Sequence, residues 1–425
     1  MGLMGLMGHM GPMGPMGLIG LMGPIRLIAL IALMGLMGCS SEETTRTAEV
    51  GSQRAIAFGD AYTVKPTRSS AAFTGDKGIP VGQSIGVYAY LHSNSRWADD
   101  EAYNAANPDA PKRLIPNFMF NQQCIRRDDA DYFSYSPVKY WPNDENSKVS
   151  FIAYFPYCNN AADDGTRFDQ ESTGIRLLKG NSVEGLPTFN FTVKDNIDEQ
   201  VDFMVSDVMA NLPKSRDTEN DPGQPFNDLS IQDRVTFLLK HMTAKVEFRI
   251  VADPDIHKDI VNFHLSKLTV SHLLKDGKLT PAYDPSTGET SFTWSDHTLS
   301  AKHGETPGYL LPFKTYEPQL LMPQELGNDV KMSVSYTITF KSDGTTYHYV
   351  GGVPVADQDY IYEKKDEIQL NKMLRTGTST PVTEWLPNHH YIYTIRLRAN
   401  RIEFTGQVVE WGDTQDIPGI EIKDE

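Results

Sequence analysis

Ile56, Phe58, Tyr62 and Val64 alternate with Ala57, Gly59, Ala61 and Thr63, and Asp60 is the one polar intruder on the apolar phase. A period of two marks a strand with one buried face, so residues 55–64 are expected to form one. Similar runs return at 81–90, 148–155, 187–193 and 201–205, then at 234–239, 244–250, 266–270, 331–340, 391–397 and 402–411. Clusters of Pro, Gly, Asn and Asp separate them, and no long stretch keeps a capped helical period. The expected fold class is therefore all-β. A polar segment running from Leu212 to Pro225 reads as a boundary. Many short strands on either side predict two tandem Greek-key β-sandwiches, over 55–211 and 231–425, joined by a linker at 212–230.

Residues 1–38 break this pattern. Glycine falls at every third position from Gly2 to Gly23, with Leu and Met filling most of the gaps. Eight such triplets without a proline-rich background are low-complexity sequence rather than a collagen triple helix. Met22-Gly-Pro-Ile-Arg26, followed by the apolar run Leu27–Leu33, has by itself the cation-then-apolar order of a secretory signal. The signal ends in Leu36-Met-Gly-Cys39, which resembles the lipobox of bacterial lipoproteins. The Cys39 thiol would then carry diacylglycerol, and stable anchoring follows from two or three acyl chains where one would not hold. Ser40-Ser-Glu-Glu43 resembles a short acidic surface-export tag, and 39–54 is expected to be a flexible lipidated leader.

Composition narrows the function. The formal net charge of −16 repels phosphate backbones and argues against nucleic-acid partners. Three cysteines in all, Cys39, Cys124 and Cys158, rule out a disulfide-dense scaffold and an all-cysteine metal site. Cys124 and Cys158 have two readings, a disulfide or two buried thiols.

Chemistry-bearing motifs are sparse. The chain has no H-E-x-x-H, G-x-S-x-G, Walker A or G-x-G-x-x-G. His389-His390 reads as a solvated turn, and the acidic runs Asp128–Asp131 and Asp163-Asp164 lack the alternating order of a calcium loop. No cofactor, metal or catalytic residue is expected. The aromatics Trp97, Tyr132, Phe133, Tyr135, Tyr140, Trp141, Tyr154 and Tyr157 read first as core; exposed members such as Trp97 or Tyr132 would make a glycan- or protein-binding platform.

Tyr135-Ser-Pro-Val-Lys-Tyr-Trp-Pro-Asn143 and Val149-Ser-Phe-Ile-Ala-Tyr-Phe-Pro-Tyr157 resemble the signature of the fimbrillin family, the subunits of type V pili. Phe118-Met-Phe-Asn-Gln122, Val201-Asp-Phe-Met-Val205, His241-Met-Thr-Ala-Lys-Val-Glu-Phe248, Tyr391-Ile-Tyr-Thr-Ile395 and Val408-Val-Glu-Trp411 are similar too. The resemblance spans about residues 39–411. It implies two transthyretin-like sandwiches in an outer-membrane lipoprotein that is exposed on the cell surface and ends in a fimbrium. It also implies an Arg-specific protease that removes the first strand, and fimbrial subunits of the same or another kind as partners. A neighbour's carboxy-terminal strand would fill the gap, with no enzymatic task; the alternative role is a surface or pilus-tip adhesin.

Arg68, in the small polar context Lys65-Pro-Thr-Arg68-Ser-Ser, is the expected cleavage position, because a cut there releases residues 55–64. The removable strand offers Ile56, Phe58, Tyr62 and Val64. At roughly 1.5–3 kcal/mol each, these side chains hold on the order of 6–12 kcal/mol of burial, comparable with the stability of a domain. Candidate donor strands are 402–411 and 419–423, the latter with Ile420 and Ile422 on one face.

Overall fold

The structure is a computed structural model that describes residues 55–63, 78–127, 132–159, 173–179, 182–213, 234–252, 260–297, 309–312, 317–340, 348–350, 353–355, 360–375, 379–398, 401–411 and 420–421. Among them the fold is built almost wholly of strands.

Eight strands share the first sheet. They are β1 (Phe58–Thr63), β2 (Ser84–His92), β3 (Met119–Arg126), β4 (Tyr132–Ser134), β5 (Lys148–Phe155), β8 (Met204–Ser206), β9 (Met209–Leu212) and β10 (Val235–His241). Their order is β2-β3-β4-β1-β10-β8-β5-β9, and β2 also pairs with β5. Seven of them thus close into a ring, with β9 attached to β5 outside it. Closure removes the free edges that would otherwise template aggregation. This ring differs from the sandwich expected for 55–211. It also takes β10 from beyond the polar segment at 212–230, so that segment does not separate the sheets.

The burial of β2 and β5 explains their near-continuous apolar sequences. Alternate residues enter two cores. Val87, Ala89, Val149, Phe151 and Ala153 point into the ring, while Tyr88, Tyr90, Ile152 and Tyr154 point outward into a second cluster. A strand covered on both faces has no polar phase.

A four-stranded sheet covers that outer face. It contains β6 (Ile175–Leu177), β7 (Phe189–Thr192), β13 (Asp276–Asp284) and β14 (Glu289–Ser295) in the order β14-β13-β7-β6. Phe189 lies 5.0 Å from Tyr154 between ring centroids. The sheet joins strands from both halves of the chain.

Two further sheets meet in the second core. One holds β11 (Ala244–Ala252), β16 (Gln319–Leu321), β23 (His389–Arg398) and β24 (Arg401–Glu410), with β25 (Ile420–Glu421) pairing β11. The other holds β12 (Ile260–Leu273), β15 (Tyr309–Pro312), β18 (Lys331–Phe340) and β21 (Tyr360–Gln369). Val246, Phe248 and Ile250 of the first face the same cluster as Leu268, Val270, Met332 and Val334 of the second. Two small pairings, β17 (Gln324–Glu325) with β22 (Glu384–Trp385) and β19 (His348–Val350) with β20 (Val353–Val355), complete the strands.

The structure also holds a helix that the apolar pattern does not predict. α1 (Trp97–Ala106) buries Trp97, Asp100 and Asn104, so polar residues occupy its inner face and the apolar periodicity is lost. Its Asp100 is there for a buried histidine, described next.

Candidate functional site

The amino-terminal strand is held from three directions. β1 runs parallel to β10, with Phe58 opposite Val235 and Ala61 opposite Phe237, and antiparallel to β4, with Phe58 opposite Phe133. Ahead of β1, Ala55 bridges Tyr140, the Ile56 amide donates to the Lys139 carbonyl at 2.8 Å, and Val235 donates to the Ala57 carbonyl at 2.9 Å. The Tyr135 hydroxyl donates to the Ile56 carbonyl at 2.8 Å. Burial pushes the Tyr135 phenol well up from its ordinary range, so it stays a donor.

The run Tyr135–Asn143 is thus the clamp on residues 55–58. Its Tyr135 ring also stands 5.3 Å from Phe58, which sits in an aromatic box completed by Phe151 at 5.7 Å and Phe237 at 5.6 Å. Trp141 packs on Phe151 from the same run.

The phase of β1 differs from the simple alternation. Ile56 and Phe58 point into the ring core as expected. The register then shifts between Phe58 and Ala61, where three residues of β1 span two of β10. This bulge places Ala61 in the core, on the phase that alternation assigns to the outer face. Gly59 is required beside it, because a Cβ there would stand 2.9 Å from Thr236 Oγ1. The side chains of Tyr62 and Val64 lie outside the described residues, as do Cys39, Arg68 and Ile422. Ile420 is placed by its backbone alone, opposite Ala252 of its own chain. The other expected donor, 402–411, forms β24 and pairs along its length with β23.

A second constellation has the distances of a hydrolytic triad. His92 Nδ1 lies 2.8 Å from Asp100 Oδ2, and its Nε2 lies 2.8 Å from Ser150 Oγ. All three side chains are buried, and Ser150 Oγ already accepts from the Asn211 amide at 2.9 Å. A nucleophile needs access to a carbonyl carbon, and this hydroxyl is sealed between strands. Burial lowers the His92 pKa against the pull of Asp100, so the ring is neutral at neutral pH and bridges α1, β2, β5 and β9. The relay is structural.

Of the aromatics that could form a binding platform, the two tryptophans are covered, whereas Tyr140 is 42% exposed. Trp97 is 3% exposed, between Tyr90, His92 and Tyr283, and Trp141 is 4% exposed. Tyr132 is half-buried, with the Arg234 guanidinium over its ring. His390, expected in a solvated turn, is instead fully buried in β23, its Nε2 3.1 Å from Glu247 Oε2, because the pair begins a strand. His389 remains half-buried. Cys124 and Cys158 are not joined in a disulfide and are buried in separate cores, Cys124 inside the ring and Cys158 outside it. The acidic runs at 128–131 and 163–164 lie outside the described residues.

The profile of the fimbrillin-like family matches residues 67–411. A search of curated proteins found no match. Among solved structures, a fimbrial protein from Bacteroides vulgatus superposes with a TM-score of 0.53 at 17% identity, covering 84% of this chain and 99% of that one. A fimbrial assembly protein from Parabacteroides distasonis gives a TM-score of 0.33 at 13% identity, with 84% and 97% covered. The tip fimbrial protein Mfa3 from Porphyromonas gingivalis, with a C-terminal truncation, gives 0.30 at 12% identity, with 84% and 100% covered. The match to the family profile runs through both signature segments, the clamp on β1 and the strand that carries Ser150 and Tyr154, and the chain belongs to the fimbrillin-like family.

Proposed function

We propose that this protein is a structural subunit of a cell-surface fimbria, made as a lipoprotein on Cys39 and assembled by strand exchange. In this reading a cut after Arg68 by an Arg-specific protease frees residues up to the end of β1. Loss of Ile56 and Phe58 uncovers about 3–6 kcal/mol of buried side chain. It also breaks the ring between β4 and β10 and leaves two unpaired edges. A strand from the carboxy-terminal region of a neighbouring subunit restores both the ladder and the burial. The lipid holds the precursor on the outer membrane, exposed at the cell surface, until it is built into the fimbrium.

The observation that carries the reading is the seating of β1. A closed ring is completed by the first strand among the described residues, and family-signature residues grip that segment. A removable strand needs such a seat, while an ordinary edge strand does not. The buried His92 relay and the covered tryptophans give no support to a hydrolase or to a tryptophan platform.

The test is the amino terminus of the protein taken from cells. Assembled subunits should begin at Ser69, and an envelope fraction should retain lipidated Cys39. An assembled form that keeps residues 55–63 would refute strand removal.

A further inference from the structure

Strand edges are where one chain can pair with another, and the larger sheets blunt nearly all of theirs. β6, β9, β15 and β16 run for only three or four residues, and β15 ends at Pro312. β21 carries Glu363-Lys-Lys-Asp-Glu367 along its length. β24 is capped midway, where the Gly406 amide donates to the Leu374 carbonyl at 2.9 Å. Shortness, charge and a covering segment all discourage pairing. β14 has none of these. Its sequence, Glu289-Thr-Ser-Phe-Thr-Trp-Ser295, holds no Lys, Pro or Gly and no charge after Glu289, and among the described residues it pairs only with β13.

The hairpin register shows which groups this edge presents. Pro281 has no amide and stands opposite Phe292, so theirs is not a hydrogen-bonded pair. The Lys275 carbonyl, one residue ahead of β13, accepts from the Val193 amide at 2.8 Å. Odd-numbered residues of β13 therefore bond toward β7 and even-numbered ones toward β14. It follows that the amides and carbonyls of Thr290, Phe292 and Trp294 turn away from β13. The edge is also held in place from beneath. The Val208 amide donates to Thr290 Oγ1 at 2.8 Å, and Trp294 Nε1 donates to the Met242 carbonyl at 3.0 Å. On the outer face Thr280, Ala282, Ser291 and Thr293 are exposed, small and uncharged.

We propose that β14 is a docking edge for β14 of a second copy of this chain, antiparallel and centred on Phe292. The inference is independent of strand exchange, because β14 lies outside the ring. Symmetry favours a second copy. A two-fold axis beside Phe292 sets that residue opposite itself and Thr290 opposite Trp294, so every outward amide and carbonyl finds a partner. Charge favours it too. The turn end of the hairpin is acidic, with Asp284 opposite Glu289. At the other end Lys278 and Arg176 share a row with Ser295 and Asn190, and Asp296 lies 3.4 Å from Lys278 just past the strand. The same axis sets Glu289 opposite Ser295 of the other copy. Each acidic end then meets the other copy's basic row, which offsets the repulsion between two chains of net charge −16.

The test uses the uncut full chain carrying Cys39→Ala, so that no leader thiol interferes. Sedimentation velocity should show a monomer–dimer equilibrium. Thr293→Lys puts a lysine on each side of the axis and should raise the dissociation constant about tenfold or more. Hydrogen exchange at the Thr290, Phe292 and Trp294 amides should slow as concentration rises, while the Ser291 and Thr293 amides stay unchanged. Ser291 and Thr293 of opposite copies form a close pair that suits a disulfide. A mixture of Ser291→Cys chains with Thr293→Cys chains should therefore cross-link on oxidation, and neither should do so alone. A chain that stays monomeric at high concentration would overturn the proposal. So would a dimer that Thr293→Lys does not weaken and the cysteine mixture does not cross-link. Because the chain is uncut, either result leaves the strand-exchange reading where it stands.

Discussion

The Tyr135 hydroxyl donates to the Ile56 carbonyl at 2.8 Å, joining residues 79 apart in sequence. That bond ties the amino-terminal strand to the segment most typical of the family. Tyr135→Phe keeps the ring against Phe58 but leaves a buried carbonyl unmatched. A loss of about 1–3 kcal/mol is expected by urea unfolding. Hydrogen exchange at the Ile56 and Ala57 amides should rise, while the carboxy-terminal sheets stay protected. An unchanged unfolding midpoint would show that the clamp contributes little.

Gly86 makes room for the second signature segment. A Cβ at this position would stand 2.1 Å from Cε1 of Tyr154, whose hydroxyl donates to Asn121 Oδ1 at 2.7 Å. The Tyr154 ring is buried and cannot swing clear. Gly86→Ala should therefore destabilise by about 1–3 kcal/mol, read as a lower melting temperature. Tyr154→Phe in the same background should not rescue it, because the clash is with the ring.

Acid should weaken the carboxy-terminal sheet through Glu247. Burial works to raise this carboxyl, but hydrogen bonds from His390 and Arg249 prevail and hold it at about 2, against an ordinary 4.5. A depressed carboxylate stabilises the fold above its unfolded pKa, and the contribution is lost as pH falls toward the folded value. The loss should run from about pH 4.5 down to about 2 and amount to on the order of 3 kcal/mol. Glu247→Gln should flatten the stability profile across that window. The His92 relay adds to acid sensitivity in the same direction, because its lowered pKa makes protonation unfavourable in the fold below the ordinary histidine range.

The two thiols should be inert in the native protein. Cys124 and Cys158 are both buried, and burial pushes the Cys124 thiol well up, which suppresses the reactive thiolate. In protein starting at Ser40, a thiol reagent should label neither quickly under native conditions and both in urea. Rapid labelling of either one in folded protein would contradict its placement.

Part of this arrangement was legible from the residues alone. Alternation at Ile56 and Phe58 marks a buried strand, and both are buried. Simple alternation puts Ala61 on the wrong face, because a bulge at Gly59-Asp60 moves the phase by one, and the need for it comes from Thr236, which sequence proximity does not reveal. The ring itself was not legible, since its closure depends on Phe58 meeting Val235 across most of the amino-terminal half. α1 escaped notice because its inner face carries Asp100 and Asn104 for polar partners rather than an apolar stripe. The burial of His390 is not readable locally, because its hydrogen-bond partner Glu247 lies on a strand that is adjacent in space and remote in sequence.

Strand exchange is most directly tested by cutting the purified full chain after Arg68 with a small amount of trypsin and running the product unboiled in SDS. The account predicts a ladder of resistant oligomers that Arg68→Ala abolishes. A chain trimmed at Arg68 that stays monomeric at high concentration would contradict it.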